Sequence, residues 1–204
     1  MTMRPLIVTM GDPAGVGPEI IARAWPILAT QPGPLAPVVP FAVIGDADVL
    51  TAQGAPVEQV FSPSEAAAVF GRAIPVLHAP APAPVTPGQP DPRNAPAVAD
   101  WIERAVDLTL SGEACGIVTA PIAKAPMYAS GFRFPGHTEF VAELTADMPF
   151  NGTRGPVMML TAKDLRACLV TIHVAIDQLP ELVTAERVMR VARVVHESMK
   201  RDFG

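Results

Sequence analysis

Four short stretches combine residue types that do chemistry with spacings that gather them in one place. The first is Thr9-Met10-Gly11-Asp12-Pro13-Ala14-Gly15-Val16-Gly17-Pro18-Glu19-Ile20. Its glycines lie between an apolar run and a helical pattern, a turn whose free backbone N–H groups can meet an anion. No Gly-Lys-Ser/Thr follows it, and the spacing of Gly11, Gly15 and Gly17 does not fit the dinucleotide fingerprint. Asp12 can cap such a turn as readily as touch a ligand, so a structural turn and a ligand loop both remain open. The second stretch, Thr119-Ala120-Pro121-Ile122-Ala123-Lys124, follows a strand pattern. Ligands of open α/β sheets gather beyond the carboxyl ends of strands, so Lys124 is either an anion partner or a solvated side chain.

In the third stretch, Phe134-Pro135-Gly136-His137-Thr138-Glu139-Phe140, an imidazole, a hydroxyl and unpaired N–H groups converge at a helix start. That is a cradle for phosphate; the plainer alternative makes Thr138 an N-cap and leaves His137 exposed. The fourth is His173, which ends the strand pattern of residues 169–172. A lone histidine is a hydrogen-bonded structural residue more often than a metal ligand, and no second histidine stands at ligand spacing. His78 and His196 look incidental. Cys115 and Cys168 lie in apolar runs and read as reduced core thiols rather than as a disulfide or zinc pair.

The elements that must position these residues follow from periodicity. Residues 6–10 and 41–44 read as buried strands either side of a helix that carries Pro18 in its first turn. Ile20, Ile21, Ala24 and Trp25 share a face of that helix, and Pro26 kinks or ends it. Strand, helix, strand is the pattern of a parallel sheet with crossovers. Residues 74–96 are loaded with proline and read as an extended connection across a surface. An amphipathic helix over 97–110 buries Val98, Trp101, Ile102, Ala105 and Val106 and stops near Gly112. Residues 116–120 form a strand, a helix contains 140–144, and 157–160 and 167–172 are strands around a turn at 162–164. A long helix runs from 184 to about 203, with Val188, Val191, Val195 and Met199 on one face.

Composition bounds the rest. The sequence has 204 residues, half of them hydrophobic and 17% charged, which indicates a folded α/β protein. A net charge of -5 and the lack of a basic stripe argue against nucleic acid. No run reaches membrane-span length, and residues 1–10 lack a signal-peptide pattern. A cytoplasmic protein is the expectation.

Singly these motifs are weak. In order, Gly-Asp-Pro-Ala-Gly-Val-Gly-Pro-Glu, Thr-Ala-Pro-Ile-Ala-Lys, Pro-Gly-His-Thr-Glu-Phe, Val-Met-Met-Leu and Thr-Ile-His resemble the 4-hydroxythreonine-4-phosphate dehydrogenase family over residues 5–204. The resemblance implies an enzyme of pyridoxal 5'-phosphate biosynthesis. It would oxidise the C3 hydroxyl of 4-phosphooxy-L-threonine with NAD or NADP, and the β-keto acid would lose CO2 to give 3-amino-2-oxopropyl phosphate. A divalent cation (zinc, magnesium or cobalt) would bind the hydroxyl and stabilise the alkoxide. By the same resemblance His137 and Thr138 contact substrate, His173 binds the metal, and Asp12, Glu19 and Lys124 are pocket candidates without an assigned role.

The implied fold is α/β like the isocitrate and isopropylmalate dehydrogenases, with parallel or mixed sheets and flanking helices. Residues 1–204 would contribute to two interleaved domains, with no boundary readable here, in a homodimer. The family continues past residue 204 with two further metal-binding histidines, one supplied across the dimer interface. The expectation is therefore an N-terminal portion that is inactive alone. Two other readings stay open: a related dehydrogenase of 4-phospho-D-threonate or 4-phospho-D-erythronate, or a non-catalytic assembly subunit with an unfinished sheet edge.

Overall fold

The computed structural model describes residues 4–30 and 39–204; the first three residues of the segment without a signal-peptide pattern lie outside them. The chain separates into two compact units, Met1–His137 and Thr138–Gly204. In the first, β1 (Leu6–Thr9) leads into α1 (Gly17–Thr30), followed by β2 (Phe41–Gly45), α2 (Ala47–Thr51), β3 (Val57–Gln59), α3 (Ala66–Val69) and β4 (Ile74–His78). Then come α4 (Ala95–Leu110), β5 (Gly116–Thr119) and α5 (Lys124–Ala129). The five strands form one parallel sheet in the order β3-β4-β2-β1-β5.

Near-continuous apolar strands are what a sheet covered on both faces requires. All of β2 is buried, as is β4 up to Leu77, and Ile7, Met10, Ile44, Ile74 and Val76 are fully enclosed. Helix α4 packs across β1, β2 and β5 with Val98, Trp101, Ile102, Ala105 and Val106 turned inward, the face that the 3.6-residue period picks out. Gly112, at φ 80°, takes the left-handed turn that ends this segment.

Four expectations need correcting in this unit. Pro26 does not end α1, which runs to Thr30. The missing N–H costs one intrahelical bond, to the carbonyl of Ala22, and the Trp25 indole anchors the same turn by donating to the Phe70 carbonyl at 2.8 Å. Ile20 is not on the buried face: it is 47% exposed while Ile21 is 5% exposed. Residues 74–78 are no connection but a strand between β2 and β3. Pro75 is accommodated there because β4 pairs with β2 only from Val76 onward. Cys115 is exposed in the approach to β5, so it is not a core thiol.

The second unit begins within α6 (His137–Leu144) and continues through β6 (Met159–Ala162), β7 (Leu165–Cys168), α7 (Leu179–Leu182) and α8 (Ala185–Asp202). The two strands form an antiparallel hairpin turning on Lys163, at φ 53°. They start and stop two to four residues from the expected bounds, because the pairing follows the turn. Thr184 caps α8 by accepting from the Arg187 N–H at 3.2 Å. Val191, Val195 and Met199 are half-buried, but Val188 is exposed. Cys168 is half-buried rather than core. No helix among the described residues is long and apolar enough to cross a membrane.

Candidate functional site

In this sheet the chain leaves β1 for β2 on one side and β5 lies on the other, so the topological switch falls between β1 and β5. A crevice outside the carboxyl ends of the strands at that point is where open α/β sheets take ligands. The first two sequence motifs meet there. The Asp12 N–H donates to the Pro121 carbonyl at 3.0 Å, and the Ala120 N–H donates to the Thr9 carbonyl at 3.1 Å. A Cβ on Gly11, where φ is 74°, would come within 2.3 Å of the Pro121 carbonyl oxygen, and one on Gly17 within 2.1 Å of the Met10 carbonyl oxygen. These glycines are required by close backbone approach, which settles one role of the turn.

Asp12 is buried, and its Oδ1 accepts from the Ala14 N–H at 2.9 Å, so it caps the turn. Lys124 opens α5 with an exposed side chain. Glu19 lies on the outer face of α1 and pairs with Arg23 at 2.8 Å. Of the three pocket candidates, Asp12 and Lys124 lie on the segments that meet at the switch point, while Glu19 is engaged along its own helix.

His137 is the first residue of α6 and Thr138 the second; both are half-buried. Burial pushes the His137 imidazole below its ordinary pKa, and its Nε2 is enclosed without a protein partner. A neutral ring with an uncommitted nitrogen, beside a hydroxyl at a helix N-terminus, suits an anionic or hydroxylated ligand. Thr138 is inside the helix, so the plain N-cap alternative does not describe it.

His173 does not terminate a strand. Strand β7 stops at Cys168, and His173 sits in a bend at φ 54°, a backbone region uncommon for a residue with a Cβ. Among the described residues no three His, Cys, Asp or Glu side chains converge to hold a metal ion. The donors of these residues therefore do not by themselves build a cation site, which takes about three protein ligands when catalytic.

Some residues that fix the site gave little warning. Asp46 accepts from both the Asp48 and Ala81 N–H groups at 2.9 Å, and His78 Nδ1 accepts from the Ala47 N–H at 3.1 Å. His78 is thus a structural acceptor rather than incidental. A Gly-Asp after a strand signals an N-cap, but the His78 contact spans the sheet edge and has no local signature.

These features define a parallel α/β protein with a ligand edge at the β1/β5 switch and an anion-compatible helix start at His137. The chain belongs to the family described as pyridoxal phosphate biosynthetic protein PdxA, whose model matches residues 38–204. It is 53% identical over its whole length to the 4-hydroxythreonine-4-phosphate dehydrogenase of Caulobacter vibrioides, covering 60% of that protein. With the Maricaulis maris enzyme of that name it shares 44% over 99% of its own length and 60% of the relative's. The crystal structure of the Klebsiella pneumoniae 4-hydroxythreonine-4-phosphate dehydrogenase superposes with a TM-score of 0.80 at 31% identity, over 97% of this chain and 60% of that one. The chain spans about 60% of the length of the curated relatives it matches.

Proposed function

We propose that these residues serve an NAD- or NADP-dependent dehydrogenase acting on 4-phosphooxy-L-threonine. C3 would give its hydride to the nicotinamide and its hydroxyl proton to solvent, and the resulting β-keto acid would lose CO2 to leave 3-amino-2-oxopropyl phosphate for pyridoxal 5'-phosphate synthesis. The observation that carries this reading is the start of α6. There His137, neutral and with a buried Nε2 that has no protein partner, is followed by Thr138 in the first turn of a helix, in a chain whose relatives carry the dehydrogenase name.

In this reading His137 and Thr138 bind and orient the substrate phosphate, with binding energy from that remote group fixing the reacting carbon. Asp12 and Lys124 stay pocket candidates at the ligand edge of the parallel sheet, and Glu19 holds its helix. His173 contributes one ligand to a divalent cation (zinc, magnesium or cobalt) whose other ligands lie outside these 204 residues. The enzyme is a cytoplasmic homodimer of isocitrate dehydrogenase-like subunits, with two interleaved domains, and the 204 residues alone do not turn over substrate. Support for that last point is that no three His, Cys, Asp or Glu side chains converge among the described residues.

The test is NADH formation from 4-phosphooxy-L-threonine with each cation, by this chain alone and fused to the remaining part of the Caulobacter vibrioides relative. Activity in the fusion only is the expected result. Turnover of 4-phospho-D-threonate or 4-phospho-D-erythronate, with none of 4-phosphooxy-L-threonine, would replace the substrate.

A further inference from the structure

Beneath the turn after β1 lies a small recess between Asp12, the 3-10 turn Pro92–Asn94, the start of α4 and α5. Asp12, Asp91, Asn94, Ala123, Pro126 and Met127 are among the side chains that wall it. Asp12 is 7% and Asn94 2% exposed, so two polar groups have been taken almost wholly out of solvent. The orientation of the Asn94 amide is fixed, because its Oδ1 accepts from the Ala83 N–H at 2.8 Å. Its Nδ2 must then point elsewhere, and that atom is buried with no protein partner. Asp12 commits Oδ1 to the Ala14 N–H, which leaves lone pairs on a carboxylate of about four acceptor sites. Asp91 is spent on Arg93, both of its oxygens accepting from that guanidinium.

A donor that lacks an acceptor and a carboxylate with acceptor capacity to spare line the same recess, yet they do not bond to each other. The group that satisfies both must accept from Asn94 and donate to Asp12. A simple anion cannot donate and is repelled by two carboxylates. A metal cation cannot accept and would face the amide N–H groups of Asn94. The interior is about the size of one water molecule, which needs two to four polar partners to be held. We infer that the recess binds a single ordered water that bridges Asn94 Nδ2 and the Asp12 carboxylate. This water ties the Gly-rich turn at the ligand edge to the N-terminus of α4, the most deeply packed helix of the unit. The inference stands on the recess and its two polar side chains and does not depend on the proposed activity.

A high-resolution crystal structure of the 204-residue chain decides the first part. The expected map shows one water within hydrogen-bonding distance of both Asn94 Nδ2 and an Asp12 oxygen. A direct Asn94–Asp12 bond, a bound ion or a recess without density overturns the proposal. The second part is read on the unaltered chain in solution: a long-lived water cross-relaxing with the Asn94 side-chain amide protons is expected in NMR spectra, and its absence contradicts the bridge.

Discussion

In the first unit Ile7, Met10, Leu50, Trp101 and Ile102 are each at most 2% exposed, and five strands carry an apolar core between flanking helices. In the second, Phe140 is the single buried residue among those described, and neither the hairpin nor α8 encloses a side chain. The second unit leans more on polar contacts. Glu197 on α8 accepts from the Thr153 N–H at 2.6 Å and from its hydroxyl at 2.9 Å. Phe150 lies under both Arg154 and Arg201, at 5.6 and 5.2 Å, and Arg166 covers Phe203 at 4.9 Å. The first unit is therefore specified by close packing, which tolerates little change in volume. The second is specified by hydrogen bonds and cation–π contacts, each worth far less and more sensitive to pH and salt. Thr138 and His173 belong to this second, looser scaffold.

The sharpest way to expose the contrast is Gly17→Ala. Its Cβ would meet the Met10 carbonyl oxygen at 2.1 Å, so the turn after β1 must move and the first unit should lose at least ~3 kcal/mol. Urea denaturation measures this, and Gly54→Ala, with nothing within 4 Å, serves as a milder reference costing about 1 kcal/mol for its left-handed φ. Next is a pair of truncations. Trp101→Ala should cost about 3–5 kcal/mol, whereas Met199→Ala on half-buried α8 should cost about 1 kcal/mol. Comparable losses at the two positions would erase the distinction between the units.

A smaller effect separates them by pH. The Thr153 N–H and hydroxyl hold the Glu197 carboxyl below its ordinary pKa. Its contribution is present above the ordinary carboxylate value and is lost as pH falls through the lowered one. Protection of the Thr153 amide, its exchange taken relative to the intrinsic rate at each pH, should therefore fall in acid, while amides of β1 and β2 stay protected. The smallest effect concerns His137. Burial lowers its pKa, so the unfolded chain takes up the proton first, and this residue destabilises the fold as pH drops below about 6.5. An NMR titration should place its imidazole below that value and move it upward when inorganic phosphate binds.

Legibility in the sequence divides along the same line. The face of α4 is readable because Val98, Trp101, Ile102, Ala105 and Val106 repeat with the period of a helix that packs on one side. Strand β4 is not, because Pro75 and the prolines after it suppress the strand signal, and only its pairing with β2 and β3 reveals it. The α6 start is legible from Pro135-Gly136-His137-Thr138, since glycine and a hydroxyl residue announce a helix end locally. The Asn94–Ala83 bond and the Glu197–Thr153 clamp join residues 11 and 44 positions apart, and such contacts carry no local pattern. The apolar run before His173, Leu169-Val170-Thr171-Ile172, reads as strand although β7 has already ended at Cys168, so pattern alone misplaces this histidine.

The most direct measurement is the rate of NADH formation from 4-phosphooxy-L-threonine by the fusion with the Caulobacter vibrioides remainder, unaltered and with Thr138→Val. The account predicts turnover in the unaltered fusion and a kcat/KM lowered at least about tenfold by Thr138→Val, the loss of one hydrogen bond to a charged group. Equal rates in the two would contradict a phosphate site at the start of α6. Absence of NADH from a folded fusion with 4-phosphooxy-L-threonine, 4-phospho-D-threonate and 4-phospho-D-erythronate alike would contradict the dehydrogenase reading itself.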